Sequence, residues 1–444
     1  MKIVFVLPGV GKKPGEKYIK SWKMEPLCIS TLKALTPAGV ETEFFDDRLE
    51  LVDYGTGADL AAITVETYTA ARAYKMAAEF RKRGVKVILG GYHVTLLPGE
   101  AAPHADSILT GNAENVWSAV IEDFKRGELK QVYEGGCAKP AVQPDRSIYT
   151  DKKYLPLNLV ETGRGCPFAC EFCAISSYYG SRYLARDPAH IVSELEAAPH
   201  KFTFLVDDNI AADPRHAGKL FEAIAPLKTR WFSQASLHAA RDRSLLKKMK
   251  KSGCEALLIG FESLDEANLK QMKKGWSCGA GEAGELVRAI HGEGISIYAT
   301  FVFGFDNDTP DTFKQALDFS QEHGFFFTAF NHLLPFPGTP LYDRLRRENR
   351  LTKEAWWLES DYSYGDIPYT PSNMSPRELS QRCAAARREF FKYSSILRRG
   401  GSLLGRNADP LLAAIFLSQN LELRAEVDGK LELPVGRGLD ELPK

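Results

Sequence analysis

Three cysteines lie within eight residues of one another in the stretch GRGCPFACEFCAISS. Cys166, Cys170 and Cys173 have the spacing Cys-x3-Cys-x2-Cys, and the other five cysteines of the chain are scattered. A structural zinc site usually has four protein ligands, but no fourth cysteine or histidine follows at zinc-finger spacing. Four-iron clusters are held by cysteine thiolates. The three cysteines therefore predict a 4Fe–4S cluster with one iron open to a further ligand.

The composition is ordinary for a soluble globular protein. The chain has 444 residues, of which 44% are hydrophobic, and its 57 basic residues equal its 57 acidic residues. This balance gives no field that would attract nucleic acid or an anionic membrane. No apolar run is long enough for a transmembrane segment, and the first residues lack a signal-peptide layout. We therefore expect a cytoplasmic protein whose clustered cysteines are reduced and free to bind metal.

The first 135 residues alternate strand and helix patterns. KIVFVLPG, VETEFFDD, DLAAITVET, KVILGGYH and SILTG have the pattern of strands, and helical patterns lie between them, including one from about Ala70 to Arg83. Continuous apolar strands bounded by glycine predict a doubly wound parallel sheet, which is a Rossmann-like domain over residues 1–135. Ligands of such sheets bind beyond the carboxyl ends of the strands.

Three groups of residues follow these strands and should meet at one edge of the sheet. Their glycines would let the backbone approach a large ligand closely. The alternative is that the glycines only end strands and begin helices. We favour a binding edge, formed by Thr64, Thr67, Gly90, Gly91, His93, Gly111, Asn112 and Glu114.

A second alternating series begins near Asn158. Residues 136–157 before it contain three prolines without periodicity, which predicts a surface linker. The strand candidates are NLVETGRG, FTFLVDDN, RWFSQASL, ALLIGFES, SIYATFVFGF and FFFTAFNHLLPF. Six βα units fit about 190 residues, whereas eight need about 250. We therefore expect residues 158–345 to form an open (β/α)6 partial TIM barrel, with its chemistry at the strand ends.

Residues 346–444 are charged and mainly helical in pattern. The segment SPRELSQRCAAARREFFKYSSILRR predicts a long amphipathic helix that begins at Ser375-Pro376. The tail predicts a small hairpin around Asp428-Gly429. The whole chain is thus expected to be an α/β protein with a helical C-terminal domain.

With a strand before the cysteines and five βα units after them, residues 158–340 resemble the radical S-adenosylmethionine (SAM) enzymes. The resemblance implies that the open iron binds the amino and carboxylate groups of SAM, and that an electron from the reduced cluster cleaves SAM to a deoxyadenosyl radical. The chain departs from the family's usual Gly-Gly-Glu at the second strand, where a helix N-cap is the alternative. The residues implied for SAM are Phe172 and Gly304 beside the adenine, Asp207, Asp208 and Asn209 at the amino group, and Ser236 and Glu262 at the carboxylate or ribose.

The N-terminal segments MEPLCISTL, DLAAITVETYTAARAY and KVILGGYHVTLLPGE, ahead of such a core, are similar to the radical SAM branch that carries a cobalamin-binding domain. The resemblance implies that cobalamin lies between the sheet edge and the barrel mouth, contacted by the edge residues given above. Many other cobalamin proteins supply a histidine ligand after the first strand, and this loop contains none. Cobalamin would then be bound without it; the alternative is a domain that kept the fold and lost the ligand.

Several other residues receive simpler interpretations. We expect His104 to lie on a solvated helix face. The phenylalanines at 325–327, 330 and 336 are interpreted as barrel core rather than a substrate site. The cysteines outside the cluster motif are interpreted as packing residues or free thiols, at positions 28, 137, 254, 278 and 383.

The resemblance implies an anaerobic, cobalamin-dependent radical SAM enzyme that methylates an unactivated carbon of a small molecule. Its partner would be a low-potential electron donor such as flavodoxin or ferredoxin. Cyclisation, rearrangement or oxidation without methyl transfer is the alternative within the branch. Methylthiolation is disfavoured, because those enzymes carry three further N-terminal cysteines and residues 1–135 contain only Cys28. A non-catalytic iron–sulfur redox sensor is the alternative from another class.

Overall fold

A computed structural model describes residues 1–277, 279–406 and 409–440 of the chain. Over these residues the α/β fold consists of two six-stranded parallel sheets and a mainly helical C-terminal region. The predicted fold class is confirmed. No described helix is both long enough and apolar enough to cross a membrane.

The N-terminal sheet contains the five predicted strands and a sixth, β6, which the sequence did not indicate. Its strands are β1 (Lys2–Leu7), β2 (Glu41–Asp46), β3 (Leu60–Thr64), β4 (Lys86–Gly90), β5 (Ser107–Gly111) and β6 (Val132–Gly136). The helices between them are α1 (Leu27–Leu35), α2 (Ala70–Lys82), α3 (Tyr92–Leu96), α4 (Pro98–Ala101) and α5 (Trp117–Arg126).

The strand order of this sheet is β2-β1-β3-β4-β5-β6, and every pair is parallel. The order reverses direction between β1 and β3, which is the point where doubly wound sheets bind ligands. Helix α2 packs on one face of the sheet, and α1 and α5 pack on the other. Both faces are therefore covered, as the continuous apolar strands require.

The second sheet is the predicted open barrel. The strands of this region are β7 (Asn158–Val160), β8 (Gly163–Arg164), β9 (Leu184–Ala185), β10 (Phe202–Leu205), β11 (Arg230–Ala235), β12 (Cys254–Glu262), β13 (Ser296–Phe303) and β14 (Phe327–His332). Its helices are α6 (Ala174–Tyr179), α7 (Pro188–Glu196), α8 (Pro214–Ile224), α9 (Arg243–Lys251), α10 (Glu266–Gln271), α11 (Ala280–Gly292), α12 (Pro310–Glu322) and α13 (Pro340–Arg347).

Six strands of this region pair in sequence order, β7-β10-β11-β12-β13-β14, and all pairs are parallel. Strands β7 and β14 stand at the two edges, so the barrel is open among the described residues. Strands β8 and β9 form a separate antiparallel pair beside the cysteine loop.

The C-terminal region consists of β15 (Ser363–Tyr364), α14 (Pro376–Phe390), α15 (Tyr393–Leu404), α16 (Pro410–Lys430) and β16 (Leu433–Pro434). Helix α14 begins at Ser375-Pro376 as predicted, and the Ser375 side chain accepts a hydrogen bond from the backbone N–H of Glu378. The predicted hairpin at Asp428-Gly429 is wrong, because both residues belong to α16. Strand β16 pairs instead with β15.

The segment at 136–157, predicted as a surface linker, is anchored in the N-terminal core. Gly136 ends β6, and Arg146–Tyr149 form a 3-10 helix. The Tyr149 ring is buried against Phe44, and its hydroxyl accepts a hydrogen bond of 3.0 Å from the backbone N–H of Ser30. The lack of periodicity therefore reflects an irregular but packed segment.

Trp356 joins the three regions of the chain. Its side chain is fully buried and contacts Tyr68 of the first region, Phe336 of the barrel and Tyr362 of the C-terminal region. Its indole N–H donates a hydrogen bond of 3.1 Å to the carbonyl of Pro335. The described part of the C-terminal region thus shares a core with the first two regions.

We predict that Trp356→Ala lowers the free energy of unfolding by about 3–5 kcal/mol, because it leaves a cavity where the three regions meet. Leu358→Ala, in the same short helix but 37% exposed, should change it by less than about 1 kcal/mol. Chemical denaturation monitored by circular dichroism measures both. Equal losses for the two variants would contradict this role for Trp356.

Candidate functional site

The cysteine loop begins with a backbone turn that requires glycine. Gly165 has a φ of +79°, and a Cβ there would lie 2.2 Å from the carbonyl oxygen of Arg182. Cys173 ends the loop and precedes α6, and the Ser176 hydroxyl bonds its carbonyl at 2.9 Å. The glycine that precedes the motif therefore lets the loop fold closely against the β8–β9 pair.

All three cysteines line one cavity of about 220 Å³ at the carboxyl ends of the barrel strands. The same cavity is lined by five other residues that the sequence indicated for SAM: Phe172, Asp208, Asn209, Ser236 and Glu262. The Asn209 Nδ2 atom lies 3.9 Å from the Cys166 Sγ atom. The structure thus brings most of the predicted site together.

The three cysteines line one cavity but do not form a group that would hold a single ion. Among the described residues, no three His, Cys, Asp or Glu side chains are grouped closely enough to hold one metal ion. The cysteines instead surround a shared space, as ligands to separate irons of one cluster would. The zinc interpretation therefore receives no support from the geometry.

Burial raises the pKa of all three thiols, and that of Cys170 to about 12. The nearby Lys274 ammonium acts in the opposite direction on Cys166 and Cys170. Thiolates are the ligands of iron. Binding of a cluster would consequently release protons.

Asp207 does not line this cavity, in contrast to the expectation from the sequence. Its side chain is fully buried, Oδ1 accepts from the Thr162 N–H at 2.8 Å, and Oδ2 accepts from the Thr162 hydroxyl at 2.7 Å. The Tyr183 hydroxyl also donates to Oδ2. Asp207 therefore holds β7 and β10 together, and only Asp208 and Asn209 face the cavity.

Gly304 is also placed elsewhere. A Cβ at this position would lie 2.1 Å from the Tyr369 hydroxyl, which donates a hydrogen bond to the Gly304 carbonyl. The Gly304 N–H donates to the Asp308 carboxylate at 2.7 Å. The close approach of Tyr369 explains the glycine, and Gly304 is not among the residues that line the cavity. Its expected position beneath an adenine stays a prediction.

Sequence reasoning missed a group of residues from the segment after α10. Lys274 and Trp276 line the cysteine cavity, together with Phe168 from the cysteine loop. The Trp276 and Phe168 rings stack with centroids 3.7 Å apart. No pattern in the sequence separates Lys274 from the lysines around it, because only the fold turns this one inwards.

A second cavity, of about 500 Å³, lies between the carboxyl edge of the N-terminal sheet and the barrel. Six of the eight residues predicted for cobalamin line it: Thr64, Gly90, Gly91, Gly111, Asn112 and Glu114. Apolar side chains of the sheet and of α1 and α5 form its floor, namely Leu32, Ala62, Ile88, Leu109 and Trp117. The cavity thus combines an apolar slot with a polar glycine-rich rim.

His93 and Thr67, the other two predicted residues, are turned into the protein interior. The buried His93 ring lies 3.2 Å from the Thr67 hydroxyl and 2.9 Å from Glu100. The Trp357 indole N–H also donates to Glu100. These contacts fill the bonding positions of the His93 ring, so both predictions are corrected. His104 ends a short 3-10 helix, is half-buried, and stacks on Tyr74 with ring centroids 4.0 Å apart.

Helix α6 connects the two cavities. Its preceding residue Cys173 lines the smaller one, and Tyr178 and Tyr179 at its end line the larger one. Tyr92 of the N-terminal region contacts Tyr178 with ring centroids 4.6 Å apart. The sequence analysis did not single out these tyrosines, although they lie only five and six residues after the third cysteine.

The remaining cysteines are mostly structural. Cys254 and Cys383 are buried in the barrel core, and Cys137 is half-buried. Cys28 has an exposed side chain that lines the larger cavity. Cys278 lies outside the described residues.

The phenylalanines in and beside β14 are of two kinds, buried and half-buried. Phe325, Phe326 and Phe330 are buried, which agrees with the core interpretation. Phe327 and Phe336 are half-buried. Because successive side chains of a strand point to opposite faces, the Phe327 side chain lies on the concave face of the sheet.

Comparisons with known proteins agree with this geometry. The model of the radical SAM superfamily matches residues 160–320. The bacteriochlorophyllide d C-12(1)-methyltransferase of Chlorobaculum tepidum is 31% identical over 390 residues, which cover 84% of this chain and 84% of that protein. The bacteriochlorophyllide d C-8(2)-methyltransferase of the same organism is 29% identical over 357 residues, or 74% of this chain and 78% of that protein.

The whole fold is also found in a solved structure. The radical S-adenosylmethionine methyltransferase TsrM of Kitasatospora setae, with cobalamin and a 4Fe–4S cluster bound, has a TM-score of 0.68 to this chain. The match covers 96% of this chain and 99% of TsrM at 15% identity. This likeness shows that the two chains share the arrangement of both sheets and the C-terminal region.

We predict a pH-dependent stability that originates at Asp207. Burial raises the pKa of the Asp207 carboxyl to about 7, and the negative charge of Glu161 adds a smaller increase. The hydrogen bonds from Thr162 and Tyr183 act in the opposite direction and lower the pKa. The folded chain then keeps a proton that the unfolded chain loses near pH 4. Stability contributed by this group therefore falls as the pH rises from about 4 to 7.

Asp207→Asn imitates the protonated acid and should weaken this dependence without loss of the cluster. Unfolding midpoints of wild type, Asp207→Asn and the exposed control Asp151→Asn between pH 5 and 8 measure it. A slope that is unchanged in Asp207→Asn would show that the acid titrates equally in both states.

Proposed function

Since the chain belongs to the radical SAM superfamily, we propose that it is a cobalamin-dependent radical SAM enzyme that methylates a carbon atom of a small molecule. One observation carries the proposal: helix α6 connects a cavity lined by the three cysteines to a glycine-rimmed cavity at the sheet edge. An iron–sulfur sensor would need the first cavity and would have no use for the second.

Cys166, Cys170 and Cys173 hold a 4Fe–4S cluster in this proposal. Their shared cavity and the absence of a single-ion group among the described residues support the assignment. Asp208 and Asn209 accept hydrogen bonds from the amino group of SAM, because carboxylate and amide oxygens are acceptors that suit an ammonium. The other residues proposed for SAM are Phe172, Ser236 and Glu262.

Cobalamin occupies the larger cavity. The apolar slot between α1, α5 and the sheet offers space for a flat apolar group, and the rim allows the backbone to approach a large ring. The rim residues in this role are Thr64, Gly90, Gly91, Gly111, Asn112 and Glu114. The cluster with SAM supplies a carbon-centred radical when bound, and cobalamin supplies a methyl group.

The residues around the cavities shield this chemistry from water. Phe168 and Trp276 stack beside the cysteines, and Tyr92 with Tyr178 covers the end of α6. Exclusion of water and oxygen prevents side reactions of radical intermediates. A low-potential donor such as flavodoxin or ferredoxin supplies the electron, and the enzyme acts in the cytoplasm, where thiols stay reduced.

The substrate is an apolar small molecule. Phe204, Phe232, Tyr298 and Phe327 are half-buried on the concave face of the barrel sheet, where they offer aromatic surface to a bound molecule. The two similar proteins from Chlorobaculum tepidum act, by their names, on bacteriochlorophyllide d. This pigment precursor is therefore the first substrate to test.

We predict that the reconstituted, reduced protein releases 5′-deoxyadenosine from SAM, and that Cys170→Ala abolishes the release because one iron loses its ligand. Cys254→Ala, at a buried core cysteine, should retain it. Anaerobic incubation followed by chromatography measures the product. Release that is unaffected by Cys170→Ala would refute the cluster assignment, and no release from wild type would favour the sensor.

We predict that Gly90→Leu prevents tight retention of cobalamin. A Cβ at Gly90 meets only ordinary contacts, at 3.6 Å and beyond, so a larger side chain can enter the cavity without backbone strain. Gly281→Leu, on a helix with open space around the glycine, is the matched control. Visible spectra after gel filtration measure retention, and iron content checks that the cluster remains. Cobalamin that stays bound to Gly90→Leu would contradict the location.

Methyl transfer is tested with SAM that carries a labelled methyl group. Wild type with cobalamin and bacteriochlorophyllide d should yield a product that contains the label on carbon. Deoxyadenosine formation together with an unlabelled, altered substrate would instead indicate cyclisation, rearrangement or oxidation.

A further inference from the structure

The guanidinium of Arg387, on α14, forms no ion pair with any described carboxylate. Its Nε–H donates a hydrogen bond of 2.9 Å to the Phe330 carbonyl, and its two Nη groups have no partner in the described part of the chain. The next residue, Arg388, is by contrast paired with Asp428. Arg387 is half-buried, and a charge that is withdrawn from water without a partner is costly. A bound anionic group would remove this cost.

The positive charge of Arg387 acts on side chains of the first two regions. Burial raises the pKa of Tyr68 and of Tyr298, and the Arg387 charge acts in the opposite direction on both. Burial and, to a smaller extent, the Arg387 charge lower the pKa of His332 to about 3, so this imidazole is neutral. None of the three pKa shifts receives a contribution from a described carboxylate. These side chains therefore surround a positive charge that no described acid compensates.

The hydroxyl groups of Tyr68 and Tyr298 also lack hydrogen-bond partners among the residues that the structure describes. Both residues are half-buried, and neither hydroxyl is among the unpaired polar atoms that the protein encloses completely. The Nη atoms of Arg387 are likewise not enclosed. Buried hydroxyl groups normally have a partner. An acceptor group in the space that these atoms border would satisfy them.

An aromatic surface leads from these groups to the cysteine cavity. Tyr298 of β13 pairs in register with Leu258 of β12 on one side and with Phe327 of β14 on the other. Leu258 lines the cysteine cavity, and the Tyr298 and Phe327 rings have centroids 5.6 Å apart. Helix α14, which carries Arg387, packs beside β14. Since neighbouring strands lie about 4.8 Å apart, Arg387 stands roughly 10 Å from the wall of the cysteine cavity.

These features match one class of molecule, a flat apolar body with an acid group at one end. The rings of Tyr298 and Phe327 suit the apolar body, because aromatic faces pack against flat ring systems. The planar fork of donors on the guanidinium matches the two oxygens of a carboxylate. A wholly apolar ligand would cover Arg387 without pairing it, which is unfavourable.

We propose that the Arg387 guanidinium, with the Tyr298 hydroxyl as a second donor, binds a carboxylate of the substrate and thereby selects flat apolar acids over their neutral analogues. This inference rests on the proposed function, because it requires that the concave face of the barrel holds the substrate. Arg387 determines specificity and takes no part in the radical step. A charged hydrogen bond of this kind corresponds to about a tenfold to hundredfold preference in affinity.

The experiment compares bacteriochlorophyllide d, which has a free carboxyl group, with its methyl ester, in which that group is neutral. Chlorin fluorescence is titrated anaerobically with reconstituted protein in the absence of reductant, so that no turnover occurs. Wild type should bind the acid about tenfold to a hundredfold more tightly than the ester. Arg387→Gln should bring the ratio of the two dissociation constants close to one by weakening the acid alone.

Arg388→Gln is the matched control, since Arg388 is the exposed neighbour whose partner is Asp428; it should keep the wild-type ratio. An unchanged ratio in Arg387→Gln would overturn the inference, and so would wild type that binds neither compound or binds both equally. Deoxyadenosine release and cobalamin retention by the same preparation show whether the proposed function stands in each of these cases. Wild type that lacks both activities would refute the proposed function itself.

Tyr298→Phe supplies a second test if Arg387→Gln fails to fold, as judged by circular dichroism. The hydroxyl that it removes has no partner in the described chain, so the fold should keep its stability. The variant should bind the acid about threefold to tenfold more weakly than wild type and the ester with unchanged affinity. No effect, or an equal effect on the two compounds, would count against a carboxylate at this position.

Discussion

The guanidinium of Arg164 holds the two sheets together at the point where both cavities begin. It forms an ion pair of 2.6 Å with Glu114 at the edge of the N-terminal sheet and is bonded to both carboxylate oxygens of Glu161 beside the barrel. All three side chains are largely shielded from solvent. Because a buried charge without its partner is costly, the pairing strongly favours one relative arrangement of the sheets. Arg164 stands two residues before Cys166, so the same residue fixes where the cysteine loop starts.

The ion pairs of Arg164 lie where the parallel strands of both sheets end. Parallel strands bring all their carboxyl ends to one edge, where loops rather than regular structure supply the side chains. In this protein the two edges face each other, and α6 runs from one to the other. Reaction partners bound at the two edges would therefore be separated by little more than one short helix. A closed eight-stranded barrel would leave less room for the N-terminal sheet, whereas the open six-stranded barrel leaves one side exposed to that sheet.

The C-terminal region covers the open edge of the barrel at strand β14. Helix α14 packs beside the edge strand β14, and the Arg387 Nε–H donates to the Phe330 carbonyl at 2.9 Å. The buried Arg399 donates to the carbonyls of Phe325, Phe326 and Phe390 and stacks on the Phe390 ring. These bonds satisfy backbone groups near an edge that would otherwise be available for association with another chain. The C-terminal helices also enclose Phe326 of the barrel in a cluster with Ile396, Leu403, Leu412 and Phe416, so they are packed against the barrel.

The sequence alone determined the features that depend on local spacing. The three cysteines, the apolar runs of eleven strands and the start of α14 at Ser375-Pro376 are all encoded within short windows, so their periods and end signals could be read directly. The chemistry of the cluster and the class of enzyme follow from these windows. The strand β6, the packed segment around Tyr149 and the helical end of α16 lack such signals, and the sequence analysis missed them.

Only the tertiary structure decided which way each polar residue at a strand end points. Asp207 and His93 follow strands just as Asp208 and Gly91 do, yet the side chains of Asp207 and His93 are buried in the interior. Asp207 is held by Thr162, 45 residues away along the chain, and His93 contacts Thr67, 26 residues away, and a single sequence contains no record of those contacts. Lys274 is the converse case, an inconspicuous lysine among lysines that the turn after α10 directs towards the cysteines. Local spacing determines which side chains are available, and long-range packing determines which of them meet.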